Sequence, residues 1–158
     1  TLKPAFSNDG TVTAANSSSI SDGAAALVIC SQKYADKNNL KTKAKIKGYA
    51  GHAHEPGWFT TAPIPAAKKL LESINWSIEE VDLWEVNEAF AVVPMAFMRE
   101  LKISREKINV NGGACSLGHP IGASGARILV SLILVRLVKN SNVIKNNHHL
   151  DFELHHQY

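Results

Sequence analysis

Apolar and polar positions along the 158 residues alternate between short compact runs and longer helical stripes. The opening stretch TLKPAFSNDGTVTAANSSS has neither period and reads as a polar loop, which suggests that the sequence starts within a larger protein. Residues 24–31, AAALVICS, form a short apolar run suited to a buried strand, although its alanines leave a helix open. A short polar helix is expected over residues 32–39 and a strand over 44–53. In KTKAKIK, lysines alternate with Thr, Ala and Ile, the pattern of a half-buried strand's solvent face. The segment HEPGWFTTAPIP contains three prolines and a Trp-Phe pair. It reads as a loop, placed over a ligand or capped onto the core by its aromatics.

Further along, residues 65–74 predict a helix with Leu70, Leu71 and Ile74 on one side, and SIEE at 77–80 has the form of a capping box. A strand over 81–86 precedes a helix over 88–101 that accepts Pro94 at some cost in hydrogen bonding. Another strand, 108–111, leads into the glycine-rich NVNGGACSLGHPIGASGAR and then a helix from about Ala123. Strands alternating with helices predict a layered α/β domain, and no internal repeat is visible. The apolar run 128–138 is broken by Ser131 and Arg136 and is too short to span a bilayer, so a buried helix is expected there.

Charge and composition narrow the function classes. A net charge of +3 with dispersed lysines argues against a nucleic-acid or membrane footprint, whereas a phosphate or coenzyme A ligand requires far fewer cations. The two cysteines, Cys30 and Cys115, stand in unlike contexts without metal-ligand spacing. Neither a disulfide framework nor a zinc site is suggested, and a reducing, intracellular setting is the simplest expectation.

Candidate chemistry concentrates in two loops just past predicted strand ends, VNEAF and GGACSLGHP, and ligands of open α/β sheets gather at such ends. Five glycines surround Cys115 and His119, so the backbone there is tightly curved, as a strand-to-helix turn or a device that holds an imidazole still would require. Asn87 and His119 could meet in one site, where an amide and a neutral imidazole would donate to a developing oxyanion or enolate. The ordinary use of an Asn at that place is to cap the helix that follows.

WEVNEAFAV and NVNGGACSLGHPIGASGAR resemble the C-terminal half of thiolases, the acyl-CoA C-acyltransferases, and especially the acetoacetyl-CoA type; GTVTAANSSSISDGAAAL and EPGWFTTAPIPAA resemble two further segments of that family in the same order. The resemblance covers roughly residues 1–135. It implies a thiolase-like α/β fold of layered helices and mixed sheet, a C-terminal-like domain over 1–139 whose first 23 residues continue from an N-terminal half, and a polar tail over 140–158. It implies that His119 takes the proton of a nucleophilic cysteine and helps bind the thioester oxygen. Asn87 would hold a water on that oxygen, Ser18 would lie against the pantetheine arm, Phe59 would line the acyl pocket, and Glu88 and Gly118 would be structural members of their loops. The implied reaction is a Claisen condensation of two acetyl-CoA, or the reverse thiolysis, through an acyl-cysteine. Coenzyme A thioesters are the substrates, with no cofactor and no metal, in a homo-oligomer without nucleic-acid or membrane partners. A degradative 3-ketoacyl-CoA thiolase and a non-catalytic coenzyme A-binding module are the alternatives. A cytoplasmic location is expected, or a mitochondrial one if an N-terminal transit peptide precedes this segment.

The match fails at two places. Thiolases use a nucleophilic cysteine in the N-terminal half and an acid/base cysteine in a glycine-rich loop between the last two strands, and neither is in this sequence. From residue 135 the chain reads VRLVKNSNVIKNNHHLDFELHHQY, so the final strands of the fold are missing and the isolated chain is expected to be inactive. Cys115, four residues before His119, mimics a nucleophile–base pair, but the family carries an aliphatic residue there and a free Cys commonly serves as a small buried hydrophobe. Cys30 is expected to be buried in its strand. His148, His149, His155 and His156 belong to an irregular polar tail.

Overall fold

The computed structural model describes residues 2–140, with side chains described as far as Val135; the four tail histidines and the tail from residue 141 lie outside the described residues. Five α-helices follow in order: α1 Gln32–Lys37, α2 Pro63–Ile74, α3 Val92–Leu101, α4 Ala114–Leu117 and α5 Ile121–Asn140. Three 3-10 turns, Ala14–Asn16, Pro56–Thr61 and Arg105–Lys107, sit between them. No described helix is long and apolar enough to cross a membrane.

The helices follow from local chemistry. Ser31 caps α1 by accepting from the Tyr34 N–H. Pro63 opens α2 at its first position, where a missing N–H costs nothing, and Asn75 closes it in the left-handed conformation with φ 56°. The buried stripe of α2, Ala66, Ala67, Leu70 and Leu71, recurs at helical spacing. α3 begins at Val92 rather than at the expected residue 88. The cause is competition for the backbone: the Ala89 carbonyl accepts from Ser18 N–H and the Ala91 N–H donates to the Asn16 carbonyl, so neither group is available to a helix. Pro94 therefore falls in the first turn of α3, where N–H groups have no intrahelical partner, and the expected hydrogen-bonding cost is absent.

The expected mixed sheet is not formed among the described residues, which contain only isolated bridges, Ser17 with Phe90, Ile20 with His119 and Trp84 with Ile108. A strand gains its stability from ladder partners and cross-strand contacts, and the segments 24–31 and 44–53 have none here. Val28 is fully exposed, Ile29 is exposed, and Cys30, expected inside a buried strand, faces solvent. The SIEE capping box is half made: the Ser77 N–H donates to Glu80 Oε2 at 2.7 Å, but a turn follows instead of a helix.

The main core joins α2, α3 and the extended segment 81–86. Ala67, Leu71, Val81, Trp84, Val86, Val93, Phe97, Leu101, Ile103 and Ile108 are all buried, with the rings of Trp84 and Phe97 edge to face at 5.3 Å between centroids. Along the extended segment the side chains alternate. Trp84 and Val86 enter this core, whereas Leu83 packs with Leu129 and Leu132 of α5. The same alternation sends Glu85 and Asn87 toward α5 and the loop before it, and this places the site.

Candidate active site

Asn109 fixes the floor of the site. The Trp84 N–H donates to the Lys107 carbonyl at 2.7 Å, and the Asn109 N–H donates to the Trp84 carbonyl at 2.8 Å. At Asn109 the backbone turns left-handed, with φ 44°, and the ladder cannot continue. The side chain supplies the next rung instead: Oδ1 accepts from the Val86 N–H at 2.7 Å, and Nδ2 donates to the Val86 carbonyl at 2.9 Å and to Glu88 Oε1 at 2.7 Å. Asn109 is 2% exposed, and the two bonds to Val86 are made away from water. Sequence reasoning passed over this residue. The signal available was an Asn at the end of a predicted strand and at the entrance to a glycine turn, a place where Asn is tolerated in left-handed backbone.

Glu88 is pinned between the two loops. Its Oε1 takes the Asn109 amide, and its Oε2 takes the Cys115 N–H at 3.0 Å. Gly113 lies against the carboxylate so closely that a Cβ there would collide with Glu88 Cδ and both of its oxygens. Cys115 Sγ points to the Glu88 carbonyl at 3.6 Å, not to the imidazole. Burial pushes its thiol up, and the Glu88 carboxylate beside it adds to that; a thiol held in this way is a poor nucleophile.

His119 is reached from three sides. Gly118 holds φ 93°, and a Cβ at that position would strike Ser21 Oγ, so the turn passes through space that only glycine leaves open. The His119 N–H donates to the Ser19 carbonyl at 2.9 Å. Nδ1 lies 2.7 Å from Ser124 Oγ in the first turn of α5, and Nε2 lies 3.4 Å from Asn87 Nδ2. Ser124 gives its one hydroxyl proton to the Pro120 carbonyl at 3.1 Å, so Oγ accepts from the imidazole Nδ1–H. That selects the tautomer with an unprotonated Nε2, facing the Asn87 amide. Burial lowers the His119 pKa below its ordinary value, and the Arg127 cation lowers it further, which keeps the ring neutral. Ser124, 4% exposed, was not singled out by sequence reasoning, because a serine in GASGAR is indistinguishable from an ordinary helix residue.

Asn87 does not cap a helix, since α3 starts five residues later with Ala91 at its cap position. Its Oδ1 is buried without a partner among the described residues. Ser18 is half-buried and ties its loop to the VNEAF loop: its N–H and its Oγ–H both donate to the Ala89 carbonyl at 3.0 Å. Phe59 lies on the Pro56–Thr61 turn, 47% exposed, against α2 and α3 rather than among the groups hydrogen-bonded around His119. The structure thus brings Asn87, Glu88, Gly118, His119 and the Ser18 loop together and leaves Phe59 outside that cluster. Among the described residues no group of three His, Cys, Asp or Glu is placed to hold a metal ion.

The family profile described as the thiolase C-terminal domain matches residues 40–145, and that of the thiolase N-terminal domain matches residues 1–33. The chain belongs to the thiolase family. Acetyl-CoA acetyltransferase 2 of Arabidopsis thaliana is 54% identical to this thiolase chain over 140 residues, which cover 88% of the chain and 35% of the relative. The crystal structure of the Bacillus anthracis acetyl-CoA acetyltransferase matches with a TM-score of 0.85 at 47% identity, over 88% of this chain and 35% of that one. The Acat5 thiolase of Ascaris suum, solved in complex with coenzyme A, matches with a TM-score of 0.82 at 40% identity, over 96% of this chain and 38% of that one. The fold is therefore thiolase-like, and the chain spans about a third of the length of these thiolases.

Proposed function

We propose that this chain carries the imidazole–amide part of a thiolase acyl-transfer site, acting on acetyl-CoA and acetoacetyl-CoA. The observation that carries the reading is the His119 geometry: Nδ1 2.7 Å from Ser124 Oγ and Nε2 3.4 Å from Asn87 Nδ2. A neutral imidazole held in that tautomer accepts one proton at Nε2 and afterwards donates it. In the acyl-transfer sequence, Nε2 takes the proton of a cysteine supplied by the remaining part of a full-length enzyme. The thiolate attacks the thioester carbonyl, the C–S bond to coenzyme A breaks, and an acyl-cysteine forms as coenzyme A leaves as its thiolate, the cysteine proton staying on Nε2. With that proton in place, Nε2–H is the donor to the thioester oxygen of the second acetyl-CoA as it becomes enolate-like. Asn87 Oδ1, buried and unpaired, is the acceptor for a water that supplies the companion hydrogen bond.

The 54% identity to an acetyl-CoA acetyltransferase favours short acyl chains over the longer substrates of a degradative 3-ketoacyl-CoA thiolase. The test is kinetic, in an enzyme of full family length carrying this segment. His119→Ala should lower kcat for acetoacetyl-CoA thiolysis by about 10² to 10³, the usual cost of removing one oxyanion donor, with a much smaller change in KM. Equal kcat with weakened binding would make His119 a binding residue and overturn the reading. A preference for long-chain 3-ketoacyl-CoA over acetoacetyl-CoA would assign the degradative reaction instead.

A further inference from the structure

Two residues upstream of Asn87, Glu85 is the most deeply buried carboxylate among the described residues, at 5% exposure. It faces Arg127, with Oε2 3.5 Å from Nη1 and the Arg127 side chain 19% exposed. Neither group touches a ligand or reacting atom in the acyl-transfer reading. Their placement repeats that of the reactive pair. Glu85 and Asn87 share one side of an extended segment, and Ser124 and Arg127, three residues apart, share one face of α5. The segment and the helix are thus joined at two successive places, by the hydrogen-bonded Asn87–His119–Ser124 contacts and by the Glu85–Arg127 ion pair, in which Glu85 Oε2 makes no hydrogen bond among the described residues. Around the ion pair the walls are apolar: Leu70 and Leu71 of α2, Trp84, and Ile128 and Leu129 of α5 line the adjoining cavity with Glu85.

We propose that the Glu85–Arg127 pair is a positioning pair for His119: it fixes α5, which carries the Ser124 partner of Nδ1, against the segment that carries Asn87, and sets a guanidinium one helical turn from that serine. The proposal rests on the reading of His119 as the base. The charged groups facing the pair are few. Arg127 comes from α5, and Glu88 comes from Glu85's own segment. The loop 17–21 brings to His119 only serines and Ile20, α2 brings only apolar side chains to Glu85, and α4 brings the Cys115 N–H to the Glu88 carboxylate and the Cys115 thiol to the Glu88 carbonyl.

Glu85 gives the pair a pH response. Burial raises its carboxyl to about 7, with Arg127 pulling it down and Glu88 pushing it up. As pH falls through neutrality, Glu85 takes up a proton before His119 does, since His119 is held below its ordinary 6.5. The Arg127 charge is then no longer cancelled, and it opposes protonation of the imidazole. The base is protected from acid by a neighbour that is protonated first.

The test is the titration of His119 itself, read by NMR of the 158-residue chain with labelled histidine and assigned by loss of one resonance in His119→Gln. The wild type should show a main midpoint below 6.5 and a small separate inflection near pH 7 that reports Glu85. Arg127→Gln should raise the main midpoint by about half a pH unit or more, and Arg127→Lys should restore it. Glu85→Gln should leave the main midpoint in place, because Glu85 is already neutral there, and abolish the inflection. A midpoint unmoved in a folded Arg127→Gln, or an inflection that persists in Glu85→Gln, would overturn the proposal. If Arg127→Gln does not fold, the Glu85→Gln result decides alone. No turnover is measured, so this outcome is separate from that of the kinetic test of acyl transfer.

Discussion

Replacing Asn109 with alanine should be the most damaging single change at the floor of the site. The substitution removes a side chain that makes three hydrogen bonds of 2.7, 2.9 and 2.7 Å at 2% exposure. Two of the groups it abandons are the N–H and carbonyl of Val86, itself 1% exposed, which have no water to turn to. Each buried group left unpaired costs about 1–3 kcal/mol. Alanine in the left-handed conformation that Asn109 adopts, φ 44°, costs about 1–2 kcal/mol more. Central values, about 2 kcal/mol for each of the two Val86 groups and about 1.5 kcal/mol for the backbone, give about 5.5 kcal/mol, a large part of the total of about 5–15 kcal/mol typical of a folded domain. Asn109→Gly loses the same bonds but not the backbone comfort, so it should be about 1 kcal/mol milder than alanine. Urea unfolding followed by the fluorescence of the buried Trp84 measures both variants, and hydrogen exchange at the Val86 amide localises the loss. If alanine and glycine both cost under about 1 kcal/mol and are indistinguishable, the side chain is not substituting for a ladder rung.

Ser124→Ala should lower kcat of a full-length enzyme by about tenfold, less than loss of His119, because the imidazole stays in place but its tautomer is no longer selected. Gly113→Ala should cost about 1–3 kcal/mol in unfolding experiments, since its Cβ would collide with the Glu88 carboxylate. Glu85 carries a pH signature of its own. Its folded pKa of about 7 lies above 4.5, so the folded state holds a proton that the unfolded state has released; stability falls as pH rises between those values, by roughly 3 kcal/mol in all. His119, held below its ordinary value, contributes a slope of opposite sign in this range, so the signal is the difference between wild type and Glu85→Gln, which should fall as pH rises; a difference that stays flat from pH 5 to 7.5 would refute it. With a limiting alkylating reagent, exposed Cys30 should label well before Cys115, as peptide mass analysis would show.

Much of the site was legible because its chemistry lies in residues with unusual neighbours. His119 between Gly118 and Pro120, and Asn87 before Glu88, stand out in the chain, and the structure brings them within 3.4 Å. α2 followed from its apolar side, α1 from a short polar run and α5 from the apolar run after the glycine loop. What was not legible depends on partners distant in sequence. Asn109 bonds across 23 residues to Val86, and Glu85 meets Arg127 only because α5 folds back over the 81–86 segment. Strand expectations over 24–31 and 44–53 failed for a related reason: hydrophobic alternation says that a segment can pair, whereas pairing needs a second strand beside it. α3 was read too long because period alone does not reveal that the loop 16–18 has already taken the backbone of residues 89 and 91.

The loop 17–21 works as a ruler. It bridges Phe90 at Ser17 and His119 at Ile20, so three extended residue steps, about 10 Å at the usual rise, set the separation of the two loops that bear Asn87 and the imidazole. This spacer lies in the part matched by the N-terminal domain profile, while the loops it gauges lie in the part matched by the C-terminal one. The border between the two profiles is therefore not a seam through the site. A single residue inserted between Ser17 and Ile20 would lengthen the ruler by about 3.3 Å and reverse which way its side chains face. A misplacement of about 1 Å can by itself cost about 10²-fold in rate, so an insertion in a stretch of plain serines should silence the site as thoroughly as loss of a reactive side chain.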